Sequence, residues 1–177
     1  MIGVITNNKQ VFGTVMTPAV RLLKKQNIPY EIHEYQHDKA NHDFGKEAAE
    51  KLGLDQNLVF KTLLACDATD KNKLVVAIVP VAGLLDLKAL AKAAKIKKMV
   101  MAEPMHAERV TGYIVGGISP IAQKKRLPTF LDSSAAGLET LYISGGKRGL
   151  DLALSCEGLM KATGAALADI REEKGRS

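Results

Sequence analysis

The chain has 177 residues, 46% of them hydrophobic and 25% charged, with a net charge of +6. That length supports one domain with its own core, and the absence of a fixed-period repeat or a low-complexity tract excludes a solenoid or a mainly disordered chain. No apolar run approaches the roughly 20 residues that cross a bilayer, no charged-then-apolar leader opens the chain, and the basic excess favours polyanionic partners such as RNA, so a cytoplasmic protein is expected.

Residues 1–15 carry no capping signal and no helical stripe. They read as an extension or start-site remnant ahead of a domain over 16–172. Thr17 suits an N-cap and Pro18 the first helical position, and Val20, Leu22 and Leu23 then form an apolar face beside Arg21, Lys24 and Lys25, which predicts a helix ending near Asn27. The rough alternation over 29–36 predicts a strand with one wet face. Asp43 caps a short helix over 44–52, closed by Gly53. Two nearly continuous apolar runs, LVFKTLLAC at 58–66 and KLVVAIVP at 73–80, read as central strands joined through a turn at 67–72.

Asp86 caps an amphipathic helix over 87–95, in which Leu87, Leu90, Ala91 and Ala94 oppose Lys88, Lys92 and Lys95. A short strand over 97–101 and a helix opened by Pro104 and running to Val110 follow. Beyond a glycine-rich loop, strands are predicted at 129–132, 140–144 and 149–154, then a helix at 157–163 and a last short segment at 167–170. Helices and strands mix without regular βαβ alternation, so the fold class is α+β: a single compact domain with a mixed sheet and flanking helices.

Lys61 interrupts an apolar strand on the face shared by Val59, Leu63 and Ala65. A lysine there is costly unless it reaches the sheet rim or lines a polar pocket. In TGYIVGGISP, Gly116, Gly117 and Pro120 make either a plain turn or a place where backbone approaches something closely. His33, His37 and His42 cluster in sequence with Asp38 and Asp43, but four residues of strand separate two Cα atoms by about 13 Å, too far for one zinc ion. They read as solvated loop histidines, and no metal or cofactor is assigned. Cys66 and Cys156 are far apart and read as free thiols without a nucleophile motif. SGGKRG lacks the glycine and hydroxyl spacing of a phosphate loop and reads as a strand-connecting turn. Basic clusters at Lys95/Lys97/Lys98, Lys124/Lys125/Arg126 and Lys147/Arg148 suit an RNA backbone, with little aromatic interleaving.

Taken jointly, MTPAVRLLKKQNIPYEIHEYQHD, FGKEAAEKLGL, VFKTLL, TGYIVGGISPIAQKKRLPT and YISGGKRGLDL resemble the YbaK family of Cys-tRNA(Pro) deacylases, relatives of the editing domain inserted in bacterial prolyl-tRNA synthetases. The resemblance runs from Met16 to about Ile170. It implies a partly barrel-like mixed sheet, hydrolysis of cysteine wrongly attached to proline tRNA, and action in trans on the tRNA(Pro) acceptor end together with prolyl-tRNA synthetase, with no role for DNA or a membrane. By position it implies Lys61, Gly116 and Gly117 as catalytic, and Tyr35, Phe44, Thr62, Ile118, Ser119, Pro120, Ser144 and Asp151 as substrate-binding residues.

Glycine N–H groups unshielded by a Cβ suit an oxyanion hole. The resemblance further implies that the substrate's own cysteine thiolate attacks its carbonyl. Lys61 would hold the terminal nucleotide or ester, and Asp151 would hold Lys61 or the substrate amine. Two alternatives stand beside this reading: a deacylase for another mischarged tRNA such as Ala-tRNA(Pro), and a non-catalytic module that binds tRNA or a synthetase.

Overall fold

Capping residues delimit the helices much as their local chemistry dictates. In the computed structural model, which describes residues 3–6 and 15–173, α1 (Pro18–Lys25) begins where the Thr17 hydroxyl accepts the Val20 N–H. Helix α2 (Phe44–Leu52) runs from Asp43 to a left-handed Gly53. Helix α3 (Leu87–Ala94) opens on Asp86, whose carboxylate accepts from the Lys88 and Ala89 N–H groups. Helix α4 (Pro104–Thr111) ends at Gly112, and α5 (Cys156–Thr163) runs from Ser155 to Gly164.

The strands form two sheets where the sequence suggests one. The first has the order β1 (Gly3–Thr6), β2 (Glu31–Glu34), β8 (Leu150–Leu154), β7 (Leu141–Lys147), antiparallel throughout. Part of the predicted N-terminal extension thus supplies a strand beside β2. The second sheet has the order β5 (Met99–Met101), β3 (Phe60–Asp67), β4 (Asp70–Pro80), β6 (Thr129–Asp132), β9 (Ala166–Ala168) and is mixed: β5, β3 and β4 pair antiparallel, while β4, β6 and β9 pair parallel. The sheets meet where the Tyr142 N–H donates to the Leu58 carbonyl at 2.9 Å, beside a parallel bridge between Val59 and Tyr142. That single seam leaves the barrel open.

The turn predicted over 67–72 is shorter, because the Asp67 carboxylate accepts both the N–H and the hydroxyl of Thr69 and lets β4 start at Asp70. The predicted final segment is β9.

Alternation sets the core. Ile32, Leu141, Ile143, Leu150, Leu152 and Leu154 from the first sheet pack against Leu64, Leu74, Val76, Ile78 and Leu131 from the second, with Ala19, Val20 and Leu23 of α1 and Leu159 of α5 closing the sides. The other face of the second sheet, through Ala65, Val75, Ala77 and Val79, is covered by Leu90 and Ala91 of α3. A smaller cluster of Ala48, Ala49, Val59 and Val81 holds α2 over the seam between the sheets, with Tyr35 and Tyr142 packed against it. Both cysteines are buried free thiols, and burial raises the pKa of each. Among the described residues no helix is long and apolar enough to cross a membrane.

Candidate active site

With Leu150, Leu152 and Leu154 in the core, Asp151 faces the other side of the first sheet. Its cross-strand partners there are His33 on β2 and Ser144 on β7. Asp151 is 6% exposed, and burial alone pushes its carboxyl pKa up to about 7. Tyr35 follows β2 and is fixed by its N–H to the Gly149 carbonyl at 3.0 Å. Burial, and then the nearby Asp151 and Glu47 carboxylates, hold its phenol pKa well above the ordinary value.

Lys61 leaves β3 toward the start of α2. Burial lowers the pKa of its ammonium, with Asp43 opposing that effect and Lys46 adding to it. It forms no ion pair among the described residues. The hydroxyl of its neighbour Thr62 is buried without a hydrogen-bond partner among the described residues. Strand alternation turns Thr62 to the face that carries Phe60 and Leu64, opposite Lys61.

The glycine loop belongs to a stretch without regular structure, residues 112–128. The Tyr113 phenol donates to the Ile121 carbonyl at 2.7 Å, and Glu108 accepts the Val115 N–H at 2.9 Å, so the loop is braced at both ends. Gly116 has φ +87°, and a Cβ built on it would lie 2.5 Å from the Phe44 ring. Arg148 completes this contact: its guanidinium carbon sits 5.0 Å from the Phe44 ring centroid, and its Nε donates to the Val115 carbonyl at 3.0 Å.

Gly117 differs from Gly116. Its N–H donates to the Ile114 carbonyl at 2.9 Å, closing a turn, and a Cβ on it would lie 2.8 Å from the Lys147 Cα. Its function in the fold is the close approach of two backbones. The Gly116 N–H makes no hydrogen bond among the described residues and is the donor left free.

The sequence-derived residues therefore divide. Lys61 and Phe44 lie by the start of α2, with Gly116 against the Phe44 ring, whereas Thr62 falls on the opposite face of β3, the one that carries Phe60 and Leu64 into the main core; Tyr35, Ser144 and Asp151 belong to the other sheet. Ser119 and Pro120 are buried, and Ser119 anchors the loop by accepting the Ile121 N–H on its hydroxyl at 3.2 Å. Ile118 packs on the main core. Ser144 accepts the Gly146 N–H at 3.2 Å, within a bulge that interrupts the pairing of β7 with β8.

The histidines are not simply solvated, as the sequence suggests. His33 is buried against Tyr142, with ring centroids 5.3 Å apart. The His37 Nδ1 lies 2.7 Å from Oε1 of Glu47, itself only 1% exposed, while His42 is exposed. Sequence reading missed Glu47 altogether, because FGKEAAEKL has the look of a solvated helix. Of the basic clusters, Lys147 and Arg148 border the site. Lys124 and Lys125 are held to the end of α4 by backbone bonds to the Thr111 and Val110 carbonyls, whereas Lys97 and Lys98 precede the opposite edge strand β5.

The sequence profile of the aminoacyl-tRNA editing domain matches residues 40–162. A protein of Enterococcus faecalis (strain ATCC 700802 / V583), EbsC, whose name carries a proposed Cys-tRNA(Pro)/Cys-tRNA(Cys) deacylase activity, is 37% identical over 154 residues, which are 87% of this chain and 92% of the relative. Among solved structures, a hypothetical protein superposes with a TM-score of 0.78 at 24% identity, over 88% of this chain and all (100%) of that one. A protein described as a proposed trans-editing enzyme for prolyl-tRNA synthetase superposes with a TM-score of 0.72 at 21% identity, over 90% of this chain and 100% of its own. These structural likenesses show a common fold. The profile and the EbsC match go further: the chain belongs to the YbaK-like aminoacyl-tRNA editing family, and its enzymatic class is aminoacyl-tRNA deacylation.

Proposed function

We propose that the protein acts in trans on Cys-tRNA(Pro), releasing cysteine from the tRNA acceptor end, in cooperation with prolyl-tRNA synthetase in the cytoplasm. The observation that carries this reading is the pair of polar groups that have no partner among the described residues beside α2 and the glycine loop: the Lys61 ammonium and the Gly116 N–H. An aminoacyl ester supplies what each lacks. The Gly116 N–H donates to the carbonyl oxygen as negative charge develops on it, a contact worth roughly 3–4 kcal/mol of barrier. Lys61 orients the ester and the terminal nucleotide, and Arg148 and Lys147 add positive charge at the rim.

No protein nucleophile is needed. The substrate thiol loses its proton and the sulfur attacks the carbonyl carbon. The bond to the ribose oxygen breaks, that oxygen takes up a proton, and the resulting thiolactone is opened by water to free cysteine. Asp151 receives the substrate ammonium. Selection then comes from thiol chemistry, since one methylene in a pocket discriminates by only about 1–3 kcal/mol.

A side-by-side panel of aminoacyl-tRNAs tests this. Cys-tRNA(Pro) is cleared, while Ser-tRNA and Ala-tRNA persist under matched conditions. Equal clearance of Ser-tRNA or Ala-tRNA overturns the thiol route, and salt-sensitive tRNA binding without any release of amino acid overturns the enzyme reading.

A further inference from the structure

Glu47 is 1% exposed although it lies in the first turn of α2. A carboxylate is retained in such a place only when its oxygens are used. Oε1 lies 2.7 Å from the His37 Nδ1, and Oε2 accepts the Asp38 N–H at 3.3 Å with the Lys51 ammonium 4.0 Å away. The same ammonium donates to the Gln36 carbonyl. Three successive residues, Gln36, His37 and Asp38, are thus tied to one face of α2.

These residues lie in the strap between β2 and α2, with Tyr35 at its start and Phe44 at its end. The His37 ring rests on Phe44 with centroids 5.5 Å apart and planes inclined by 33°. From other sides, Phe44 meets Arg148 and the bare Cα of Gly116. His37 is therefore the backstop of Phe44, and Glu47 sets the orientation of His37 through the bond to its Nδ1.

We propose that Glu47 and His37 form a positioning pair that holds Phe44 against Gly116, so that the aromatic wall and the glycine loop keep the spacing an aminoacyl ester needs. The kinetic part of this inference rests on the deacylase reading, while the placement of Phe44 can be tested without it. The experiment uses the full chain with 4-fluorophenylalanine at all four phenylalanines, the Phe44 fluorine signal being assigned by its loss in Phe44→Leu.

Glu47→Gln removes the charge at nearly constant shape, and His37→Asn removes the ring while keeping a donor for Glu47; the second variant decides if the first fails to fold. The expected result is a moved Phe44 signal with the Phe60 and Phe130 signals unchanged. Single-turnover release of cysteine is expected to fall at least tenfold, with the half-saturating tRNA concentration within twofold, and to fall less than threefold when Phe44 is already Leu. An unmoved Phe44 signal in a folded variant overturns the proposal, as does a kinetic loss that simply multiplies with that of Phe44→Leu. If the wild-type protein releases no amino acid, the deacylase reading fails, and the fluorine signals still decide the positioning pair.

Discussion

Gly116→Ala probes the site at the point where conformation and contact coincide. Two costs are separable. Holding alanine at φ +87° costs roughly 1–2 kcal/mol, the left-handed penalty for a residue with a Cβ. The new methyl also falls 2.5–2.7 Å from three carbons of the Phe44 ring, an overpacking that costs about 1–3 kcal/mol when the neighbour must move. Phe44 is only half buried and can swing outward, so the second cost lies toward its lower end. A total near 2–4 kcal/mol lowers the melting temperature by about 4–16 °C for a domain of this size. On the proposed reading the rate of cysteine release falls by about 10²–10³, the loss associated with one oxyanion donor, because the Gly116 N–H would move with the loop as the aromatic wall is displaced.

Thermal melts and single-turnover deacylation measure the two effects, and comparing Gly116→Ala/Phe44→Leu with Phe44→Leu alone separates them: that difference keeps the φ share and lacks the packing share. Unchanged melting and unchanged turnover in Gly116→Ala would refute the argument. Gly117→Ala has no such escape, since the obstructing atoms are the Lys147 backbone, and its fold is expected to suffer more than that of Gly116→Ala.

Lys61→Met keeps an apolar stem and removes a half-buried ammonium that burial disfavours; thermal melting is expected to show stability retained, with cysteine release abolished. Asp151 gives a pH signature. Its folded pKa of about 7 stands above the ordinary 3.8, so the folded state holds the proton more tightly and stability falls as pH rises from about 4 to 7, then levels off. That difference corresponds to roughly 4 kcal/mol at most, and Asp151→Asn is expected to be the more stable protein at pH 8 and no more stable than wild type near pH 3.5 in urea titrations. Wild-type affinity for an aminoacyl-tRNA is expected to rise toward pH 7 as the carboxylate forms and to fall again as the substrate's α-ammonium loses its proton, and Asp151→Asn to lose that maximum in binding titrations.

The helices were legible in the sequence because their signals are local: Thr17, Asp43, Asp86 and Ser155 satisfy N–H groups within three residues of themselves. Lys61 was legible for a related reason, as a lone charge in an apolar strand needs an explanation wherever the strand goes. The division into two sheets was not, because it depends on which distant strands pair, such as His33 with Asp151 in one sheet and Val76 with Thr129 in the other. Nor was the engagement of the Gly117 N–H. Two adjacent glycines announce freedom of backbone, but which N–H closes the turn depends on the fold that bends it back to Ile114. Glu47 hid most completely: its spacing in α2 is that of a solvent-facing residue, and only the strap from β2 folding over the helix buries it.

The same tertiary origin explains why the candidate site holds charges that pair with no partner among the described residues. Burial works against both the Lys61 ammonium and the Asp151 carboxylate, lowering the pKa of the first and raising that of the second, so each neutral form is favoured more than in water. A fold selected only for stability would pair them or replace them by apolar side chains, which often costs nothing or stabilises. Retaining both unpaired makes sense if a ligand brings the complementary groups, a cation for Asp151 and an acceptor or anion for Lys61. On the proposed reading an aminoacyl-tRNA terminus carries both, in its α-ammonium and in its ester and phosphate oxygens. A free amino acid carries the ammonium with a carboxylate in place of the ester, and an uncharged tRNA end carries phosphate without the ammonium. The mischarged terminus would supply both groups on one molecule and add phosphate contacts that the free amino acid lacks, while the uncharged tRNA end would leave Asp151 without its cation, so each product would bind through fewer groups than the substrate.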